Sequence, residues 1–293
     1  MGSVLKVTRV AVIGSTGQLG TDLVQVMNEA KAYQAFPLGH AEVESTDPGS
    51  VQRALREVRP DIVVNCAAFV RVDDCEDESE EAFRVNALGA LYVARACVEQ
   101  NALCVYIGTD YVFNGEKGGS YTESDLPNPI NVYGASKLAG EHLVRETCPR
   151  WLIVRVASLF GKAGARGKGG NFVETVLHKA RAHEPLQVVD DITMSPTYTL
   201  DAVRALEQLL SQEGTGLFHL ANRGSCTWYE FARKALELAG VEARMDPIAA
   251  SDYRARARRP KNSSLRSDRL GGLVTGGLRS WEEALKAYLA EKG

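Results

Sequence analysis

Residues 9–30 read RVAVIGSTGQLGTDLVQVMNEA. The run RVAVIG (9–14) has the length and β-branched character of a buried strand. It gives way at once to Gly14, Gly17 and Gly20, and then to the helical pattern TDLVQVMNEA (21–30). In that context a GxxGxxG spacing acquires chemical meaning. Glycines let backbone N–H groups approach a pyrophosphate, and the helix N-terminus adds a favourable field. The competing reading is a plain tight turn between strand and helix.

Outward from this turn the pattern repeats. AFPLG (35–39), DIVVNCAA (61–68), LCVYIGT (103–109) and WLIVRVAS (151–158) read as strands. TDPGSVQRALREV (46–58) reads as a helix starting near Thr46 or Asp47, with further helical patterns at 79–100 and 133–147. Strands apolar along their whole length belong in a sheet covered on both faces, and strand–helix alternation gives parallel βαβ units. The expected fold class is α/β: a Rossmann-like doubly wound parallel sheet with a smaller, mainly C-terminal α/β substrate lobe. Past residue 160 come helices at 171–182, 199–211, 227–239 and 279–291, and strands at 186–190 and 216–221. The expected division is 1–160 for the dinucleotide-binding domain and 161–293 mainly for the substrate lobe, partly interleaved. The strand at 216–221 is a candidate to return to the first sheet. GKAGARGKGG (161–170) is no Walker A loop, because Gly169 follows Lys168 where Ser or Thr is needed.

Composition sets limits. The chain has 293 residues, 45% of them hydrophobic, and a net charge of -3, so nothing global favours nucleic acid or an anionic membrane. No apolar run approaches a membrane span. MGSVLK lacks a secretory pattern and the Ser or Thr that myristoylation needs. Six cysteines without a CxxC are expected as reduced thiols in a cytoplasmic protein. The five histidines show no paired-ligand spacing, so no metal site is expected, and no GxSxG elbow suggests a hydrolase.

Candidate chemistry gathers at the carboxyl ends of the strands. PLGHAEVE (37–44) places Gly39 and His40 at the tip of the second strand, with no acid there, although Glu42 and Glu44 follow. An acid at that tip binds the ribose 2′-OH of NAD, so its lack favours NADPH, with NADH left open. Asn65, Ala67 and Ala68 end the third strand. In NVYGASKLAGE (131–141), Tyr133 and Lys137 stand four apart on one helix face. Alone they read most simply as a surface pair. Thr109 ends an apolar strand at the same sheet edge and changes that reading. Hydride delivery to a carbonyl leaves charge on oxygen, and a proton must arrive there. A phenol, with a pKa of about 10, can supply it if a nearby ammonium lowers that value, and a hydroxyl can orient the oxygen.

Two charged stretches have two readings each. DDCEDESEE (73–81) reads as a solvated helix start, with carboxylates holding a metal as the alternative. RARARRPKNSS (254–264), with Arg254, Arg256, Arg258, Arg259 and Lys261, is either a solvated loop or a clamp for a diphosphate.

GSTGQLG, RPDIVVNCAA, VNALGALYVARAC, GTDYVFNG, NVYGASKLAGE, MSPTYT and RRPKNSSL together cover residues 14 to about 265. With them the chain resembles the extended short-chain dehydrogenase/reductase superfamily and, more narrowly, the dTDP-4-dehydrorhamnose reductase family. The resemblance implies a Thr109–Tyr133–Lys137 triad with Tyr133 as proton donor and Lys137 also on the nicotinamide ribose. Asn86 would support a proton relay. Gly14, Gly17, Gln18, Leu19, Gly20, His40, Ala67 and Ala68 would hold the cofactor, and Val70, Tyr111, Ser158, Arg259 and Asn262 the substrate. Three positions depart from the family pattern: Phe69-Val70 replaces His-Thr, Ser158 replaces Trp, and Gly108 replaces Ser before Thr109. The implied reaction is NAD(P)H-dependent reduction of a nucleotide 4-keto-6-deoxysugar, most simply dTDP-4-dehydro-L-rhamnose. A sibling reductase for another 4-ketosugar is one alternative. A non-catalytic cofactor-binding subunit, like that of methionine adenosyltransferase, is another. Magnesium-bridged pairing in some family members leaves a homodimer open.

Overall fold

The computed structural model describes residues 7–164, 170–253 and 255–292. Arg254, residues 165–169 of the Gly/Lys-rich loop and the N-terminal MGSVLK lie outside the described residues. The first half runs β1 (Thr8–Ile13), α1 (Gln18–Glu29), β2 (Tyr33–Leu38), α2 (Pro48–Val58), β3 (Ile62–Asn65), α3 (Val72–Asp77), α4 (Ser79–Phe83), α5 (Gly89–Gln100), β4 (Leu103–Thr109), α6 (Val132–Thr147) and β5 (Trp151–Val156). The second half runs β6 (Leu159–Phe160), α7 (Phe172–Arg181), β7 (Leu186–Val189), β8 (Thr193–Met194), β9 (Thr197–Tyr198), α8 (Thr199–Ser211), β10 (Gly216–His219), β11 (Cys226–Thr227), α9 (Trp228–Ala239), β12 (Met245–Ile248) and α10 (Trp281–Lys292).

Six strands form one parallel sheet in the order β10-β5-β4-β3-β1-β2. The order reverses at β1, so the crevice beyond the carboxyl ends of β1 and β3 is where a ligand is expected. The strands are buried on both faces because each face meets helices. Val10 and Val12 of β1 pack with Leu23, Met27, Val203 and Leu206 of α1 and α8. Ala11 and Ile13 face the other way, toward Val51, Leu55, Ala90 and Val93 of α2 and α5. This explains why the strand sequences are apolar throughout and do not alternate. The strand at 216–221 enters this sheet as β10, parallel to β5.

Several boundaries differ from the sequence expectation, for local reasons. β3 stops at Asn65, whose Oδ1 accepts the Ala67 N–H at 3.1 Å and bends the chain into the crevice. The helical stretch 79–100 is α4, one π-helical turn over Arg84–Leu88, and α5. Asp47, and not Thr46, caps α2 by accepting the Gly49 N–H. The strand expected at 186–190 is β7, but its partner β12 and the short pairs β6–β9 and β8–β11 had no legible signal, since two to four residues do not establish a period. Around them Phe160 stacks on Tyr198 and meets Phe231 and Tyr288, tying α9 and α10 to the strands that follow β5.

Candidate active site

The turn after β1 has the shape that a bound dinucleotide needs. Gly14 takes a φ of +76°, and a Cβ there would stand 2.9 Å from Ala67 N. A Cβ on Gly20 would stand 2.3 Å from Gly14 O, so the third glycine lets α1 start hard against the turn. Gly17 caps α1 with no side chain in the way. Gly14, Gly17, Gln18 and Leu19 line a cavity of about 920 Å³, and His40, Ala67 and Ala68 continue its wall. Gly20 is buried behind the lining. Bare amides, small residues and a helix N-terminus in one crevice fit the pyrophosphate and riboses of NADPH.

Thr109, Tyr133 and Lys137 line the same cavity, as do Val70, Tyr111 and Ser158. Thr109 ends β4, and its hydroxyl donates to Asp110 Oδ1 at 3.1 Å. Tyr133 sits on the first turn of α6, edge-on to the Tyr111 ring at 5.8 Å. Burial pushes the Tyr133 hydroxyl above its usual range, while a hydrogen bond with Thr109 pulls it down. The net direction is upward and is set by burial, so the lowering expected from Lys137 does not govern this hydroxyl. A neutral phenol is what a proton donor requires. Lys137 is 2% exposed, with Nζ 4.1 Å from the centre of the Tyr106 ring. Burial lowers its ammonium to about 8, opposed by the charge of Glu141.

The helix is held in place by its own cap and by partners distant in sequence. Asn131 caps it by accepting the Gly134 N–H at 2.8 Å, and Glu76 Oε1 of α3 accepts the Val132 N–H at 2.9 Å. A Cβ on Gly134 would fall 2.1 Å from Tyr111 O, so glycine lets α6 abut the loop that follows Thr109. Glu141, two turns beyond Tyr133 on the same face, takes three hydrogen bonds from Arg155 of β5, at 2.7–3.2 Å. A Cβ on residue 108 would lie 2.5 Å from Glu141 Oε1. Gly108 thus makes room for this buried ion pair, which gives that departure a physical role.

Asn86 does not line the cavity. It lies at 0% exposure in the π-helical turn, where its Oδ1 accepts Phe69 N–H and its Nδ2 donates to Phe69 O and Ser136 Oγ, all within 3.1 Å. Its own carbonyl accepts the Tyr106 hydroxyl at 2.8 Å. It therefore fastens the loop after β3 to α6. Asp110 lies within GTDYVFNG but was assigned no role from sequence. Burial raises its carboxyl to about 6, with hydrogen bonds from Ser263 and Thr109 opposing.

A second cavity, of about 1030 Å³, adjoins the first at Tyr111, Phe172 and Trp228, which line both. Arg256, Arg258, Arg259, Lys261 and Tyr253 line it. Two charged stretches of the sequence meet here. Arg259 lines the cavity with its fork already paired: Nη2 and Nη1 reach Asp73 at 2.9 and 3.1 Å. The acidic run is not simply a solvated helix start, since Arg256 also pairs with Asp74 and Asp77. The hydrogen bond from Arg259 holds Asp73 down at about 2. Asn262 lines neither cavity; its Nδ2 donates to Lys117 O and Gly119 O at 3.0 and 2.9 Å. Among the described residues no group of three His, Cys, Asp or Glu is placed to hold a metal, and no helix is long and apolar enough to cross a membrane.

A parallel dinucleotide-binding sheet with Thr109, Tyr133 and Lys137 beside its cofactor turn defines a short-chain dehydrogenase/reductase. The model for the RmlD substrate binding domain matches residues 8–293, and the chain belongs to this family, that of the dTDP-4-dehydrorhamnose reductases. It is 38% identical to the spore coat polysaccharide biosynthesis protein SpsK of Bacillus subtilis, over 97% of this chain and 98% of that one. It is 33% identical to the dTDP-4-dehydrorhamnose reductase of Escherichia coli, over 96% and 97%. The crystal structure of dTDP-4-dehydrorhamnose reductase (rfbD) from Bacillus anthracis, in complex with NADP, superposes with a TM-score of 0.92 at 38% identity, covering 98% of this chain and all of that one.

Proposed function

We propose that this chain is an NADPH-dependent reductase of the C4 keto group of a dTDP-4-keto-6-deoxysugar, dTDP-4-dehydro-L-rhamnose being the substrate that its relatives favour. The observation that carries the reading is the meeting of two cavities at Tyr111. One joins the glycine-rich turn to Thr109, Tyr133 and Lys137; the other is lined with cations suited to a diphosphate.

NADPH, when bound, supplies hydride to the carbonyl carbon. Tyr133, kept neutral by burial, donates its proton to the oxygen as charge develops there. Thr109 hydrogen-bonds the same oxygen and fixes its direction. Lys137, still largely protonated at neutral pH, favours the phenolate that Tyr133 becomes and holds the nicotinamide ribose. Asn86 keeps the loop after β3 against α6, and a relay role through its carbonyl is part of the same reading. Val70 and Ser158 line the cavity that holds Thr109, Tyr133 and Lys137, which supports a role for the two departures in sugar choice. Residues 1–160, together with β10, serve the cofactor; the remainder of 161–293 serves mainly the nucleotide sugar. Small charged substrates and thiol cysteines support a cytoplasmic setting.

The test is to offer NADPH with a panel of nucleotide 4-ketosugars and identify products by NMR. Reduction at C4 of a dTDP-linked sugar supports the reading. Tight NADPH binding with no product from any member of the panel would instead indicate a cofactor-binding regulatory subunit.

A further inference from the structure

The tip of β2 does hold an acid, supplied from three residues further along. Glu42 folds back so that Oε2 accepts the Gly39 N–H at 2.8 Å. The backbone turns tightly to allow this, with Glu42 N–H and Val43 N–H both donating to Gly39 O, at 3.1 and 2.9 Å. A Cβ on Gly39 would lie 3.1 Å from that carboxylate oxygen, 3.3 Å from Thr16 Cγ2 and 3.7 Å from Ser15 Oγ. The carboxylate therefore lies about where an acidic side chain on residue 39 would reach, beside Thr16 and Ser15 of the glycine-rich turn and bonded to Gly39, which lines the cavity although Glu42 itself does not. From this place dinucleotide folds read the adenosine ribose, with an acid for a 2′-OH and a cation for a 2′-phosphate.

We propose that Glu42 discriminates between NADH and NADPH: its carboxylate stands in for the missing strand-tip acid toward a 2′-OH, and a 2′-phosphate enters only when Glu42 leaves the Gly39 N–H, which then donates to the phosphate. The inference rests on the reading of NADPH as cofactor.

The neighbouring charges are consistent with a site that takes either cofactor. His40 and Arg84 line this end of the cavity. Arg84 is already engaged, with Nε 2.6 Å from Glu81 Oε2 and Nη1 3.3 Å from Thr46 Oγ1. Glu44 adds another carboxylate, accepting from Thr46 N and Oγ1 at 2.9 and 2.8 Å. With the Arg84 guanidinium committed to Glu81 and Thr46, removing one nearby negative charge should weigh heavily. If Glu42 is only a turn cap, its removal affects stability and leaves cofactor choice alone.

The experiment is equilibrium titration of NADPH and NADH, followed by nicotinamide fluorescence, with wild type, Glu42→Gln and Glu42→Ala. Gln keeps an oxygen for the Gly39 N–H and removes only the charge, so the turn is retained. Both variants are expected to shift the NADH-to-NADPH ratio of Kd by about tenfold or more toward NADPH. Glu42→Ala is also expected to weaken NADH itself. A shift under about threefold in both variants, with melting curves like wild type, overturns the inference while the cofactor reading stands. Wild type that binds neither cofactor overturns the cofactor reading, and the inference with it.

Discussion

Arg259 places two nitrogens on the carboxylate of Asp73, at 2.9 and 3.1 Å, across 186 residues of chain. The pair joins the basic loop of the substrate side to α3, the helix whose Glu76 also holds the first N–H of α6. Loop, acidic helix and α6 are thus linked through four hydrogen bonds, because Asp73 Oδ1 also accepts the Ala257 N–H at 2.9 Å.

Arg259→Ala is expected to raise KM for the nucleotide sugar about ten- to a hundredfold, the size of a lost charge-assisted contact, and to leave NADPH affinity unchanged. Asp73→Asn should raise KM by a smaller factor, since the guanidinium stays but its fork is no longer fixed. Asp73 has a folded pKa of about 2, below its ordinary value, so the pair contributes above the unfolded carboxylate pKa and is lost only as pH falls toward 2. KM should therefore show no step from this pair between neutral pH and about pH 5. An unaltered KM in Arg259→Ala would assign the loop to structure alone.

Lys137→Met is expected to lower turnover by about 10²–10⁴ and loosen NADPH, yet leave the fold at least as stable as wild type at pH 7. The folded pKa of Lys137, about 8, lies below its unfolded value. Burying the charge thus costs stability in full below pH 8, and that cost fades as pH rises from about 8 toward the unfolded value, above which it is gone. Denaturant melts at pH 7 check this; a loss of more than about 1 kcal/mol would mean that packing by the lysine stem outweighs desolvation.

Acid should destabilise the protein through His219. This residue lies buried on β10, with Nδ1 3.2 and 3.1 Å from the carbonyls of Tyr121 and Arg266, and burial lowers it to about 4. The unfolded chain takes up a proton near pH 6.5 that the folded chain refuses, so stability is retained above 6.5 and lost as pH falls toward 4. Between pH 7 and 5, His219→Gln should lose ~2 kcal/mol less than wild type. Equal losses would place the acid sensitivity in other groups.

Tyr133→Phe keeps the ring against Tyr111 and removes the hydroxyl. NADPH should bind as before while turnover falls by about 10²–10⁴, the size of a general-acid contribution. Unchanged turnover would move the proton donor elsewhere, with Asp110 the first group to examine.

That the glycine-rich turn, Thr109, Tyr133 and Lys137 share one cavity was legible because they lie in short local motifs: Gly14, Gly17 and Gly20 directly after β1, Thr109 at the end of β4, and Tyr133 with Lys137 on one turn of α6. The central sheet was legible because strands buried on both faces leave no alternation. What escaped depends on residues far apart in sequence. Asp73 and Arg259 belonged to two separately read charged stretches until the fold paired them. Gly108 read as a departure until Glu141 and Arg155 came to need its space. Phe172 and Trp228 open α7 and α9 with no motif around them, yet they line the junction of the two cavities. The acid at the tip of β2 was missed because Glu42 reaches Gly39 through a turn and does not extend from the strand itself.

The most direct test of the central claim is isotope transfer. NADPH deuterated at the transferable nicotinamide position is offered with dTDP-4-dehydro-L-rhamnose, and the product is read by NMR. The account predicts one deuterium on the sugar, at C4, and a dTDP-linked 4-hydroxy product formed mole for mole with oxidised cofactor. Deuterium retained on the cofactor, with the ketosugar unchanged although both ligands bind, would contradict it.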